Sequence, residues 1–193
     1  MTILTLVFLS SNILAQNSLE QKWIHTETQY SDSNGNSFEL INSLPKGGQT
    51  YTDSAGITYS YVIFWNRIIN NAELPLEINL QFPAKKIEIF PSSDSYLRIF
   101  LPSEQMTSEK IAMFDYGLTS LKDFLDAEFY EQSFLEKTIL PKEEYSFYIS
   151  ILIHHARGSA RTALVMEDNN AFYQISIGSN SGLIPCGEII FKN

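Results

Sequence analysis

The chain has 193 residues, enough for one domain with a sizeable core, and its 44% apolar and 18% charged content excludes a disordered polypeptide. Its 22 acids against 13 bases leave a formal charge of -9, which repels phosphate backbones and excludes nucleic acid as a general partner. The single cysteine, Cys186, excludes an intrachain disulfide framework and a Cys-x-x-Cys zinc module.

Residues 1–15 (MTILTLVFLSSNILA) are mostly apolar and end on a small residue, Ala15, before polar Gln16. They are expected to be a signal peptide, being too short for a membrane span of about 20 residues. No Lys or Arg precedes Lys22, so an N-terminal core strand is the alternative. The mature protein, 16–193, is expected to be a single secreted or periplasmic domain without a membrane span.

From Trp23 onward the apolar pattern has period two. His25–Ser31 and Ser37–Asn42 flank Asp32-Ser33-Asn34-Gly35-Asn36, where Asn34-Gly35 predicts a type I′ hairpin. Pro45-Lys46-Gly47-Gly48 breaks the chain. Thr58–Ile69 is rich in β-branched and aromatic residues, and Leu76–Phe82 alternates, with Leu76, Ile78, Leu80 and Phe82 on one face. Further strands are predicted at Lys86–Phe90 and Tyr96–Leu101. Between 103 and 135 the period changes. Leu118, Leu121, Phe124 and Leu125 recur at helical spacing, and Ser120 with Asp123 suggests a capping box. Strands resume at Phe134–Leu140, Tyr145–Ile153, Arg161–Glu167, Ala171–Ile177 and Glu188–Lys192, with Ser179–Gly182 as a turn. About ten short strands and one small helix predict a mainly β protein, an antiparallel β-sandwich with a helical insertion at 103–135.

Two stretches, Val62–Phe82 and Ile139–Ile149, resemble the phrasing of immunoglobulin-like sandwich domains in secreted bacterial proteins. The wider chain, through Tyr116-Gly117-Leu118, Phe124-Leu125-Asp126 and Ile184-Pro185-Cys186-Gly187, resembles uncharacterised exported proteins of the Bacteroidota. The resemblance implies an immunoglobulin-like sandwich and an exported location. It brings no catalytic or binding residues with it.

No complete catalytic pattern is found. Gly178-Ser179-Asn180-Ser181-Gly182 carries Asn180 where a nucleophile elbow needs serine, and predicts a hairpin turn. Cys186 is expected to be a buried small hydrophobe. His154-His155 ends a strand, so the two rings are expected on opposite faces, unable to share a metal. With Arg157 and Arg161 they make the one locally basic spot, where His155 and Arg157 could receive an acidic ligand group. Asp32–Asn36 has the oxygen ligands of a calcium loop but lacks its glycine and glutamate, so turn chemistry is expected there. The acids Asp123, Asp126, Glu128 and Glu131 are expected on a solvated helix face. No cofactor and no metal is expected.

Six aromatics crowd the insertion: Phe114, Tyr116, Phe124, Phe129, Tyr130 and Phe134. Phe124 and Phe134 fit the apolar period and are expected to pin the insertion, whereas Tyr116, Phe129 and Tyr130 are the candidate ligand-binding rings. The helix is expected to pack through Leu121, Phe124 and Leu125 against a sheet edge. The leading expectation is a non-catalytic binding or structural module with an extracellular or periplasmic protein or glycan as partner. A carbohydrate-binding module and a small secreted hydrolase are the alternatives.

Overall fold

A computed structural model describes residues 20–192, and the signal peptide expected at 1–15 lies outside them. The described chain is mainly β and forms two antiparallel sheets. With strands numbered in chain order, the first sheet runs β1 (Ile24–Ser31), β2 (Ser37–Ser43), β4 (Thr58–Asn70), β8 (Glu144–His154), β6 (Tyr96–Phe100). The long β4 pairs with β2 through its second half and with β3 (Lys46–Thr52) through its first. The second sheet runs β7 (Ser133–Ile139), β5 (Leu76–Phe82), β11 (Asn180–Phe191), β10 (Asn170–Ile177), β9 (Ala160–Glu167). The expected antiparallel sandwich with a short helical insertion is the fold.

The sheets face each other across a core built by alternation. Phe64 and Ile68 of β4, Phe147, Ile149 and Ile151 of β8, and Leu97 and Ile99 of β6 meet Leu76, Ile78, Leu80 and Phe82 of β5. Asn42 closes one side of the sandwich. Its Oδ1 accepts from the Leu164 N–H at 2.7 Å and its Nδ2 donates to the Leu164 carbonyl at 3.3 Å, so one side-chain amide ties β2 to β9 as a strand's peptide would. On the other side Ser133 Oγ accepts from the Leu101 N–H at 2.8 Å.

A second core lies on the outer face of the first sheet. Tyr59, Ile63 and Trp65 of β4, Tyr148 and Leu152 of β8, and Tyr96 and Phe100 of β6 are covered there by the insertion's Met106, Ile111, Tyr116, Leu118, Leu121, Leu125 and Phe129. β4 and β8 are therefore apolar on both faces. This corrects the expectation for the helix α1 (Leu121–Glu128): it packs through Leu121 and Leu125 into the core on the sheet's outer face, not against a sheet edge.

Local chemistry explains the other departures. Asn34-Gly35 does not make a type I′ turn, because only Gly35 takes a positive φ, of 85°. Gly35 N bonds Asp32 O and Asp32 N bonds Asn36 O, a three-residue loop closed by a left-handed glycine. Asp53-Ser54-Ala55-Gly56-Ile57 repeats the device between β3 and β4, with Asp53 in the place of Asp32. Lys86–Phe90 forms no strand and contributes one bridge, Ile87 to Leu97. β11 starts at Asn180, well before Glu188, so the Ser179–Gly182 turn shrinks to Gly178-Ser179. Ser120 makes no side-chain cap of its own helix. Its N–H, its hydroxyl and the Thr119 N–H all bond Glu104 Oε2 instead. Burial would raise the Glu104 carboxyl, but bonds from Lys110, Ser120 and Thr119 outweigh it and hold it at about 2.

No helix among the described residues is long and apolar enough to cross a membrane.

Candidate functional site

The insertion reaches the first sheet through a short turn of unusual handedness. Asp115 (φ 48°), Tyr116 (φ 55°) and Gly117 (φ 67°) are three consecutive left-handed residues. Only the last is free of a Cβ penalty, which for each L-residue is about 1–2 kcal/mol. Strain of this kind persists only where the surroundings hold it in place. Here Lys46 does the holding. Its Nζ donates to the carbonyls of Ile111 at 2.6 Å and Met113 at 2.7 Å, and sits 4.2 Å and 4.3 Å from the ring centres of Trp23 and Tyr116. The Tyr116 hydroxyl donates to the Leu44 carbonyl at 2.6 Å, and the Tyr148 hydroxyl to the Tyr116 carbonyl at 2.7 Å.

The turn buries the Asp115 carboxylate against β4. Tyr61 shares its hydroxyl between Asp115 Oδ2 at 3.0 Å and Gln49 Oε1 at 3.2 Å. Asp115 is 4% exposed, and its Oδ1 has no hydrogen-bond partner among the described residues. A buried carboxylate oxygen left alone in this way is costly, and native folds seldom keep one without a reason. Asp115 also lines a cleft of about 500 Å³ between β3 and α1. Leu118, Leu121 and Leu125 give the cleft an apolar floor, and Gln49, Thr50, Thr52, Thr119 and Lys122 give it a polar rim. Phe114, at the same mouth, is 69% exposed. An apolar floor with a few convergent polar groups is the ordinary make-up of a ligand site.

Burial raises the Asp115 carboxyl above its ordinary 3.8, against the Tyr61 hydrogen bond and the Lys46 charge, which lower it. The folded state thus favours the protonated acid, and stability falls as pH climbs from 3.8 toward the folded-state value. Asp115→Asn keeps an acceptor for Tyr61 and suits the left-handed region. It is expected to melt above the parent chain at pH 7, with the gap closing below pH 3.8. Thermal melts across that range check it, and parallel profiles would refute the reading.

The residues nominated from sequence fall in different places. Tyr116 and Phe129 are 0% and 3% exposed, so neither ring presents a surface to a ligand, and both belong to the second core. Tyr130 is 59% exposed, edge-on to Phe129. Phe134, expected to pin the insertion, is 70% exposed, because Ser133 takes the inward position on β7 to bond Leu101. Phe124 is half-buried against Phe100.

His155 and Arg157 are exposed and line a separate cleft of about 410 Å³ with Thr58, Tyr59 and Ser60. Their neighbour corrects an expectation. His155 takes φ 52°, which breaks the strand's alternation and stacks its ring on His154 at 3.8 Å. His154 Nδ1 lies 3.2 Å from the Thr58 carbonyl. No group of three His, Cys, Asp or Glu residues able to hold a metal occurs among the described residues.

The remaining motifs are structural. Asp32 Oδ1 accepts from the N–H groups of Asn34 and Asn36, and Oδ2 from Asn36 Nδ2, each at 2.9 Å, so turn chemistry occupies both oxygens. Asp123, Asp126 and Glu128 are exposed on α1, with Glu131 exposed just beyond it, and Asp126 pairs with Lys122 at 2.5 Å and accepts from the Tyr51 hydroxyl at 3.0 Å. Gly178-Ser179 is the two-residue connection between β10 and β11. Cys186 is buried, and desolvation pushes its thiol up to about 12, far from a reactive thiolate.

Asp115, Lys46, Gln49 and Tyr61 were not legible as a site, since β3 and the insertion lie far apart in sequence. The one local signal was the pairing of Asp115 with Gly117, two residue types that tolerate the left-handed region. Comparison of the chain with protein-family models, with curated proteins and with solved structures finds no match.

Proposed function

We propose that this protein is an exported, non-catalytic binding module whose ligand site is the cleft between β3 and the insertion. The observation that carries the reading is Asp115: a strained, buried carboxylate with one unpartnered oxygen, lining a cleft with a free aromatic ring at its mouth. A module of the secreted or periplasmic space, with a protein or glycan partner there, accords with the apolar residues 1–15, with the acidic charge, and with the resemblance to exported bacterial sandwich domains. The rigid sandwich supplies the scaffold and an inserted segment supplies the recognition surface.

The test is a ligand-detected NMR screen of neutral and charged oligosaccharides, short peptides and small amines against the full chain, repeated with two variants. Compounds that bind are expected to weaken at least tenfold with Phe114→Ala and to bind unchanged with His155→Ala. The opposite pattern would move the site to the His155–Arg157 cleft. Turnover of a bound compound, lost on changing one acid, would replace the binding reading with the hydrolase. Export is read separately, from the first residue of the mature chain recovered from a bacterial host, expected to be Gln16. Recovery of the chain only in the cytoplasm, still beginning at Met1, would overturn it.

A further inference from the structure

Resting on that reading of the cleft, we infer that its occupant is an extended segment of a partner protein, which adds as a strand to the free edge of β3 and alternates apolar with acidic side chains. The first argument is the backbone. β3 pairs with β4 on one side and with no strand on the other. Asp53 N–H bonds the Ile57 carbonyl at 3.0 Å, and Tyr51, two residues before it, opposes Tyr59. Bonded pairs alternate along an antiparallel ladder, so Tyr51 turns its N–H and C=O toward β4 while Thr50 and Thr52 turn theirs to the free edge. Among the described residues, no backbone bond from outside that ladder reaches Thr50 or Thr52, and both are exposed. Their donors and acceptors stand in the row that an incoming strand requires.

The second argument compares the edges. A free edge invites foreign strands, and charged side chains usually blunt it. Of the strands at the ends of the two sheets, β1 carries Glu27, β6 Arg98, β7 Lys137 and β9 Arg161. β3 carries only Lys46, which is folded onto the carbonyls of Ile111 and Met113, and Gly47–Thr52 holds neither a charge nor a proline. The β3 edge has no such guard.

The third argument is what flanks that edge. Thr50 lines two clefts, one on each face of the sheet. On the outer face, where Tyr51 points, lie the floor of Leu118, Leu121 and Leu125 and the exposed ring of Phe114. On the other face, beside Ile153 of the inner core, the cleft of Thr50, Thr58, Ser60 and Arg157 has no carboxylate in its lining. Arg157 makes no ion pair among the described residues, whereas His155 forms the wall with its ring stacked on His154. Side chains of an added strand alternate between the two faces. Apolar ones meet the leucine floor, and acidic ones meet the charge of Arg157, which a protein of net charge -9 otherwise denies them.

The experiment titrates the ¹⁵N-labelled full chain with a capped octapeptide of alternating valine and glutamate. Alternating valine–lysine and valine–serine peptides and cellohexaose are the comparators. The valine–glutamate peptide is expected to shift the amides of 49–52, 114–125 and 157, and to slow hydrogen exchange at Thr50 and Thr52 at least tenfold. It should bind at least tenfold more tightly than the valine–lysine peptide, although net charge favours the latter. Arg157→Glu, at an exposed position, should reverse that order with the melting temperature unchanged. Methylating the backbone nitrogen of every glutamate should abolish binding by an antiparallel strand, and of every valine by a parallel one. The other methylated peptide should bind as its parent does. Loss with both, or with neither, would overturn the added strand. Shifts in the same amides from cellohexaose and from no peptide would overturn it and leave the binding cleft standing. Shifts at 49–52 that follow protein concentration without peptide would overturn it by giving the edge to a second copy of the chain. No shift at 49–52 from any peptide would overturn it as well, whereas the cleft itself falls only if the oligosaccharide, peptide and amine screen places every binder elsewhere.

Discussion

Tyr116→Ala is expected to cost about 3–5 kcal/mol of stability, the range for deleting a large buried aromatic side chain. Its ring has no exposed surface and meets Trp23 at 5.9 Å and Trp65 at 6.4 Å, nearly perpendicular to both. Lys46 lies over it, and its hydroxyl reaches the Leu44 carbonyl. Alanine would leave a cavity among β4, β8 and the insertion at the point where the left-handed turn is held. The cost exceeds a simple transfer term, because Lys46 would also lose one of the two rings it rests on. Tyr116→Phe removes only the hydroxyl and is expected to cost about 1 kcal/mol. Tyr130→Ala, at an exposed ring, should stay within about 0.5 kcal/mol of the parent. Urea midpoints for the three variants decide the matter. A Tyr116→Ala midpoint no lower than that of Tyr130→Ala would show that the second core does not depend on this residue.

The same residues show why part of the molecule can be read from its sequence and part cannot. Leu76–Phe82 is buried on one face only, so its composition alternates and its strand is plain. Thr58–Asn70 is buried on both faces over much of its length, and its alternation is erased because each face has its own core. That unbroken apolar run was a sign that something covers the sheet's outer face, but which segment does so depends on contacts distant in the chain. β3 was hidden for the opposite reason. Gly47 and Gly48 look like a chain break, yet Gly47 packs so close to β4 that a Cβ would lie 2.7 Å from the Tyr61 carbonyl oxygen. Periodicity misassigned Phe134 because a serine hydroxyl, needed as an acceptor for Leu101, occupies the inward position beside it. His155 escaped the alternation rule through one positive φ. The cleft at Asp115 joins residues of β3, β4 and the insertion, and no local pattern marks such a meeting. The proposed cleft draws Asp115 and Phe114 from the 103–135 insertion, and two of the three rings nominated within that insertion, Tyr116 and Phe129, are buried in the second core.

The severest single substitution is expected at Gly187. β10 pairs Phe172 with Pro185 and Ala171 with Gly187, so Cys186 is the extra residue of a β-bulge in β11. The bulge changes the strand's parity. Before it, Ile184 and Cys186 turn toward the core; after it, Ile189 and Phe191 do. Without the bulge a strictly alternating strand carrying Cys186 inward would carry Glu188 inward as well, burying a charge with no partner. Glycine is required at the bulge for two reasons. Its φ is 132°, outside the range L-residues ordinarily adopt, and a Cβ there would lie 1.9 Å from the Asn79 carbonyl oxygen on β5. That oxygen belongs to a central strand paired on both sides, so it has no room to retreat. Gly187→Ala should therefore cost more than about 4 kcal/mol, enough to leave a domain of ordinary stability largely unfolded or insoluble. Gly35→Ala is the control: its φ of 85° is also positive, but nothing lies within 4 Å of the added carbon. It should cost about 1–2 kcal/mol from backbone strain alone. Circular dichroism and urea titration of the two variants separate the terms. Equal losses would mean that the approach of β5 contributes nothing and that the bulge is held by backbone preference only.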